Sequence, residues 1–439
     1  MNNLISFLTG INDPDLKLDV DGLEETKNLK IIHLIKSGVC NCPVCGHKML
    51  KNGFRQQEVR VKALPIANVP TVLLIRKQKY ICPSMPDCPK VVTKLAEIDG
   101  IDRNCRITNN IKQAVILDLP KNESQKDIAQ DHQVSPSTVG RIIDSLDNNF
   151  TPTANWLPRA IAFDDFKSGR FATSGMSMIL MNPVNHRTID VISSRTSKSL
   201  KQYFYRHFTR KARLSVKLVV VDLYQPYRPL IHELFPYAQI IADHFHIVAQ
   251  AYRVLQKIRT KTMNYYGAGS HESRALKRFW KLLLQKVSEL DNVRYHPCRN
   301  FKGAWLTNSE VVDRLLDMSP ELKEAYDYYQ TLISAIDNED SAELQTLLNR
   351  KLTELPFKLQ KVQRTLRQHK DEILCSFKYH LSNGPIEGTN NKIKVIKRTA
   401  YGFRNFYHFR IRILIALKNS HLTVSSNCKT KNSPSKMTA

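Results

Sequence analysis

The chain has 439 residues, of which 42% are hydrophobic, and it carries 66 Lys and Arg against 40 Asp and Glu for a formal net charge of +26. That length predicts about two to four domains, and the apolar content supports buried cores and excludes wholesale disorder. The charge implies an anionic partner, nucleic acid first, while the longest apolar runs, 218–221 and 411–417, fall far short of the roughly 20 residues of a membrane span.

The opening residues, MNNLISFLTGINDPD, lack a basic segment, an apolar core and a small-residue cleavage site, so no secretory signal is expected. In such a chain the nine cysteines point to metal binding before disulfides. Five of them lie in the first zone, to about residue 96, where β-branched and aromatic runs at 57–63 and 69–80 predict strands. Cys42-Pro-Val-Cys45-Gly46 is a CxxC knuckle, and Cys82 and Cys88 supply a looser second pair. Two thiolate pairs flanking a β-rich stretch suit a closed tetrahedral Zn²⁺ site that is structural and not catalytic, with Cys40 and His47 as substitute ligands. Such a small module is expected to fold only with its metal.

Next, residues 102–146 read as short helices. Ser124 caps a helix with Ile128 and Ala129 facing inward, and the small Ala129 allows a second helix close by. His132 and Gln133 form a turn, Val134 plugs the gap, Ser135 caps the second helix and Pro136 takes its first position. Val139, Ile142 and Ile143 face the core, which leaves Ser137, Thr138 and Arg141 outward, where a helix-turn-helix meets DNA. An ordinary pair of amphipathic helices is the plainer alternative.

From about residue 156 to 251 apolar runs end in acidic residues: AIAFDD, MSMILMNP, TIDVIS, KLVVVD and QIIAD. With helices after the third and fourth, the order is three strands, helix, strand, helix, strand, a mixed α/β sheet. If the fourth strand lies beside the first, Asp164 and Asp222 meet at adjacent strand ends, the ribonuclease-H-like arrangement. Two close carboxylates repel unless a cation bridges them, and oxygen-only ligation suits Mg²⁺ or Mn²⁺. A two-metal site of this kind drives phosphodiester displacement.

Residues 252–417 are helical in pattern, with LKRFWKLLLQKVSEL, ELKEAYDYYQTLISAI and DSAELQTLLNRKLTEL as examples. A turn at Ser382-Asn383-Gly384-Pro385 introduces a further helix with Glu387 in its first turn, the third carboxylate candidate, aimed back at the sheet. Lys392, Lys394, Lys397, Arg398, Arg404, Arg410 and Arg412 follow, interleaved with aromatics; cations contact phosphates and rings stack on bases. The polar end from about Thr423 is expected to be disordered.

Together, Cys42/Cys45/Cys82/Cys88, the helix-turn-helix, Phe163-Asp164-Asp165-Phe166, Val221-Asp222-Leu-Tyr-Gln-Pro-Tyr, Ala242-Asp243-His-Phe-His246 and Asn383-Gly-Pro-Ile-Glu387-Gly-Thr-Asn-Asn391 resemble the ISL-three family of bacterial insertion-sequence transposases over nearly the whole chain. The resemblance implies a DDE triad of Asp164, Asp222 and Glu387, with an accessory Asp-x-x-His of Asp243 and His246. It also implies a helical insertion ahead of the glutamate, and Trp280 corresponds to a tryptophan that related enzymes place near the active site. Many relatives carry Asp-Glu where this chain has Asp164-Asp165, so Asp165 stays in view beside Asp164.

The expected fold is thus α+β and multidomain. It comprises a zinc-binding DNA-binding module at 1–96, a helix-turn-helix domain at 97–150 and the first part of a ribonuclease-H-like catalytic domain at 156–251. A large all-helical insertion at 252–375, a C-terminal catalytic helix region at 376–420 and a disordered tail at 421–439 complete it. The expected function is metal-dependent cleavage and strand transfer of double-stranded DNA at terminal inverted repeats and target DNA. The expected cofactors are Mg²⁺ or Mn²⁺ and structural Zn²⁺, the expected state a dimer or higher on DNA, and the expected location the bacterial cytoplasm at the nucleoid. Lys392, Lys394, Lys397, Arg398 and Arg404 would join Ser137, Thr138 and Arg141 on DNA. The alternatives are a DNA-binding regulator with an inactive nuclease-like domain and a nuclease that cuts without joining.

Overall fold

The computed structural model describes residues 2–83, 88 and 91–417; the tail expected to be disordered lies outside them. The chain divides into two compact units, Met1–Thr151 with Val395–Ala439, and Pro152–Lys394.

The first unit opens with helix α1 (Asn2–Thr9) and strands β1 (Leu16–Thr26), β2 (Leu29–Lys36), β3 (Leu50–Phe54), β4 (Val59–Ile66), β5 (Val69–Ile81) and β6 (Thr93–Leu95). The 13-residue β5 is the spine: β2 pairs with it in parallel, and β3, β4 and β6 pair antiparallel. Ala67 and Asn68 both adopt positive φ, the backbone that a tight hairpin between β4 and β5 requires. Ile5, Leu16, Ile32, Leu34, Val61, Leu73 and Ile75 form the buried centre. The strands expected at 57–63 and 69–80 are β4 and β5. β1 and β2 were not foreseen; in LKIIHLIK the apolar residues run together as Ile31-Ile32 and Leu34-Ile35, although burial alternates along the strand from Ile31.

Three helices follow: α2 (Asn109–Asp118), α3 (Gln125–Asp131) and α4 (Pro136–Ser145). Ser124 and Asp127 form a reciprocal capping box, and the Ser135 hydroxyl accepts from the Thr138 amide with Pro136 in the first turn. Each such cap stabilises its helix by about 1 kcal/mol. Ile128, Ala129, Val139, Ile142 and Ile143 are buried. Val134, expected as the plug, is only half-buried.

In the second unit β7 (Ala160–Lys167), β8 (Met176–Met181) and β9 (Thr188–Ile192) form an antiparallel meander. Helices α5 (Ser197–His207) and α6 (Arg210–Leu214) lead to β10 (Leu218–Val221), which lies parallel to β7; α7 (Tyr227–Leu234) leads to β11 (Gln239–Ala242), parallel to β10. The sheet order is β11-β10-β7-β8-β9. Its central strands are nearly continuous apolar runs, as strands buried on both faces require.

A helical region follows: α8 (His244–Tyr265), α9 (His271–Arg278), the short strands β12 (His296–Cys298) and β13 (Ala304–Leu306), then α10 (Asn308–Leu316), α11 (Pro320–Asp337), α12 (Ser341–Asn349), α13 (Phe357–Gln368) and α14 (Lys370–Tyr379). The run LKRFWKLLLQKVSEL is not one helix. α9 ends at Arg278, and 3₁₀ turns follow at Leu282–Leu284 and Val287–Glu289. Leu282, Leu283 and Leu284 all pack on the core, and one α-helix cannot turn three consecutive residues to a single face.

Helix α15 (Gly384–Thr399) carries Glu387 in its first turn, and α16 (Phe406–Ala416) packs on α4. α16 corrects the reading of its cations. Arg412 is buried and donates to the Leu119, Lys121 and Glu123 carbonyls, while Arg410 donates to the Phe150 carbonyl. Both tie the chain to itself, so neither guanidinium is a free phosphate contact.

Candidate functional site

The metal centre grows from a tight turn. Gly46 has φ +75°, a conformation open to glycine, and its amide donates to the Cys42 carbonyl at 2.9 Å while the Cys42 amide donates to the His47 carbonyl at 2.8 Å. This turn presents Cys42 and Cys45. The end of β5 delivers Cys82, and Cys88 completes the group. Sγ atoms stand 3.5 Å apart for Cys42–Cys88 and Cys45–Cys82. All four ligand atoms lie within 4.8 Å of one another, and Cys40 and His47 stand outside the group. The Cys45 amide, aimed at its sulfur, holds the Cys42 thiol down to about 6, while burial pushes the Cys88 thiol up. Four closely packed thiols, one already inclined to ionise, match tetrahedral zinc with no position left open for chemistry.

The acidic site lies in the other unit. Ala160–Ala162 pair with Leu218–Val220; carried two residues further, that register sets Asp164 level with Asp222. Burial pushes the Asp164 carboxyl up to about 7, and the charges of Asp165 and Asp222 push the same way. The Asp222 carboxyl is also raised, chiefly by burial, while His246 pulls both down. Asp165 differs, for Arg195 pairs with it at 2.6 Å. Asp164 has no such cationic partner within 4.0 Å among the described residues, so it carries the uncompensated charge. Its Oδ2 accepts instead from Asn390 Nδ2 at 3.1 Å, and its Oδ1 from the Asp165 amide.

Asp222 stands on a buried scaffold. Arg228, 7% exposed, donates to the Asp222 carbonyl at 2.6 Å and the Tyr224 carbonyl at 3.0 Å. Its other nitrogens make a two-point contact with Glu372, at 2.5 and 3.2 Å, and Glu372 is also bound by His369 Nδ1 at 3.0 Å. Burial alone would raise Glu372, but the His369 and Arg228 hydrogen bonds outweigh it and hold the carboxyl down to about 2. Asp243, 2% exposed, follows β11; its Oδ1 accepts from the Asn383 amide at 2.9 Å and its Oδ2 lies 3.9 Å from His246 Nε2.

Glu387 is placed differently from the two half-buried aspartates. It is exposed on the first turn of α15, and Asp164, Asp222 and Glu387 do not form a group with oxygens all within 4.8 Å. The residue of this helix that reaches Asp164 is Asn390, one turn on. The Asn383 side-chain amide and Asn390 Oδ1 are buried without hydrogen-bond partners among the described residues. Arg195, Arg228, Glu372 and His369 were missed by sequence reasoning. They lie outside any motif, whereas Asn383 and Asn390 were legible only as parts of the quoted run. Trp280 is half-buried, with the Lys281 ammonium 5.9 Å over its ring.

On α4, Ser137 and Arg141 are exposed and Thr138 half-buried, with Arg141 donating to the Thr138 hydroxyl at 3.0 Å. Lys392, Lys394, Arg398 and Arg404 are exposed, and Lys397 is half-exposed.

Comparisons with known proteins bear on every part. Residues 161–413 match a family described as a transposase, 96–146 the helix-turn-helix domain of transposase family ISL3, and 38–88 the zinc-finger of transposase IS204/IS1001/IS1096/IS1165. A Bordetella parapertussis protein named transposase for insertion sequence element IS1001 is 24% identical over 370 residues, 81% of this chain and 84% of its own. A Lactococcus lactis subsp. lactis protein named ATP-dependent protease is 41% identical over 117 residues, 27% of this chain; the match spans 37% of that relative's length.

Proposed function

The chain belongs to the ISL3 family of transposases, and from that premise we propose that it binds the terminal inverted repeats of an insertion sequence, cuts there and joins the ends to target DNA. The observation that carries this reading is the register of β7 and β10, which sets Asp164, in the middle of β7 and not at its end as expected, level with Asp222 just past the end of β10, both with raised proton affinity. Three antiparallel strands, a helical crossover and a fourth strand parallel to the first support a ribonuclease-H-like domain. The helices between β11 and α15 are then its insertion.

The donor set fits Mg²⁺ or Mn²⁺: hard carboxylate oxygens with unmet negative charge, beside orphaned amide oxygens of Asn383 and Asn390. Asp164, Asp222 and Glu387 would hold the ion, which would supply charge stabilisation to phosphodiester displacement. Arg228 fixes the Asp222 backbone, Asn390 orients Asp164, and Asp243 anchors the start of α15, with Asp165 and His246 accessory to the site. Water attacks the phosphorus at the end of the mobile sequence and releases its 3′-oxygen as a 3′-hydroxyl, which attacks a target phosphorus and displaces the target strand's own 3′-oxygen, leaving it as a 3′-hydroxyl. Ser137, Thr138 and Arg141 contact the repeats, with Lys392, Lys394, Lys397, Arg398 and Arg404 on phosphates. We divide the chain functionally at 96, 150, 251 and 375. Two ends must meet, so the active form is at least a dimer, acting on DNA at the bacterial nucleoid.

The exposure of Glu387 favours a second reading, a DNA-binding regulator with an inactive nuclease-like domain. A cleavage assay on a duplex carrying the gene's flanking DNA separates the two. The transposase nicks at the repeat boundary with Mg²⁺ or Mn²⁺, and Asp222→Asn binds without cutting. If wild type and variant bind alike and neither cuts with any divalent metal, the regulator is the function.

A further inference from the structure

A groove of about 700 Å³ opens beside the recognition helix α4, and its walls come from two modules. One wall is α4, with Ser135, Thr138 and Arg141. The other is Lys62 of β4, Arg106 of the 102–107 loop and Lys112 of α2. The second wall is pinned to the first. The Lys62 ammonium donates to the Gln133 carbonyl in the turn between α3 and α4 at 2.7 Å. The Lys62 backbone grips the loop, its amide donating to the Arg106 carbonyl at 2.9 Å and its carbonyl accepting from the Thr108 amide at 3.0 Å. The groove therefore presents Lys62, Arg106 and Arg141 as cations without a carboxylate partner in it, beside Lys112, which is paired with Asp102. Its carboxylate, Asp102, is already engaged by Lys112 and Asn109.

We propose that this is a composite DNA groove in which α4 reads base edges while Lys62 and Arg106 hold the phosphate backbone that borders them. The proposal rests on reading the helix-turn-helix as DNA-binding. Duplex DNA is the occupant that the arrangement favours. A helix carrying hydroxyls and one guanidinium offers donors and acceptors to bases, and a parallel wall of cations outside the helix suits a line of phosphates. The β-module thereby contributes directly to DNA binding through a residue of its sheet. Pinning both walls at one residue fixes their spacing before DNA arrives, which lowers the ordering cost of binding.

The test uses the full zinc-loaded chain and two duplexes of equal length, one carrying the gene's flanking end and one scrambled, titrated across salt concentrations. Arg106→Gln and Lys62→Gln/Arg106→Gln are compared with wild type and with Lys51→Gln, an exposed β3 cation outside the groove. Each lost phosphate contact should reduce the salt slope by about 1 and weaken both duplexes alike, by about three- to tenfold. Arg141→Gln should instead narrow the preference for the flanking end, and Lys51→Gln should match wild type. Lys62→Arg keeps both the charge and a donor for the Gln133 carbonyl and should bind as wild type. Groove variants with wild-type affinity and slope on both duplexes overturn the groove, as does a loss confined to the flanking end with no change in slope. Wild type that binds neither duplex overturns the DNA-binding reading itself.

Discussion

The cysteine group and the acidic site are both candidate metal centres, yet one is closed and the other open. Four sulfurs lie within 4.8 Å of one another, whereas Asp164 lies within β7, Asp222 follows β10 and Glu387 is exposed on α15. The difference is one of charge. A protonated thiol packs as a small apolar group, so four can crowd together before a metal arrives. A carboxylate taken out of water loses its hydration, and neighbouring carboxylates repel it further, so burial first and the charges of Asp165 and Asp222 second push the Asp164 carboxyl up to about 7. The thiolate site joins a local turn carrying Cys42 and Cys45 to a second pair 37 and 46 residues on, while the carboxylate site rests on long-range strand pairing braced by Arg228 and Glu372.

The sharpest way to break this contrast is to remove the zinc. Structural zinc contributes on the order of 10 kcal/mol to a module of this size. Chelation or Cys88→Ser should therefore make β3–β6 protease-labile while the unit Pro152–Lys394 keeps its melting transition. Limited proteolysis read by mass spectrometry checks this, and a chain that stays resistant without zinc would mean that the sheet alone holds the module.

The next largest effect belongs to the brace under Asp222. Breaking a buried ion pair from one side costs about 3–5 kcal/mol, so Arg228→Met should lower the thermal midpoint steeply. Pairing it with Glu372→Leu should restore most of the stability while cleavage stays at least tenfold below wild type, because the Asp222 carbonyl has lost its donor. Full recovery of both would show that Arg228 serves stability alone.

A smaller effect, with a definite sign, comes from Asp164. Its folded pKa, about 7, lies above the ordinary 3.8, so the ionised form costs stability. That cost is absent below about pH 4, grows as pH rises and is complete above about 7. In metal-free protein at pH 8, Asp164→Asn should therefore be more stable than wild type, on the order of 1–3 kcal/mol, with the gain vanishing near pH 4. Cleavage and Mn²⁺ binding by wild type should fall as pH drops below 7. A destabilised Asp164→Asn at pH 8 would contradict the uncompensated charge. Smallest of all, Asn390→Ala frees one oxygen of Asp164 and should shift Mn²⁺ affinity only a few-fold, measured by calorimetry; no shift would leave that hydrogen bond without a part in the site.

Much of this molecule was legible one residue at a time. The CxxC knuckle, the two serine caps with Pro136, and apolar runs ending in aspartate are local signals, because each depends on backbone conformation or on the two- and 3.6-residue periods of strand and helix. They located the thiolate group, the helix-turn-helix and the strands carrying Asp164 and Asp222. The rest depended on residues far apart in sequence. Arg195 neutralises Asp165 from 30 positions away, and Glu372 reaches Arg228 across 144. Arg412, cationic in sequence, is buried on three carbonyls. The leucines after Trp280 leave the helix to reach the core, and Lys62 joins a sheet to a helical turn 71 residues on. Side-chain type shows what a residue can do; which charge is paired, buried or left free is fixed only when the folded chain brings its partner alongside.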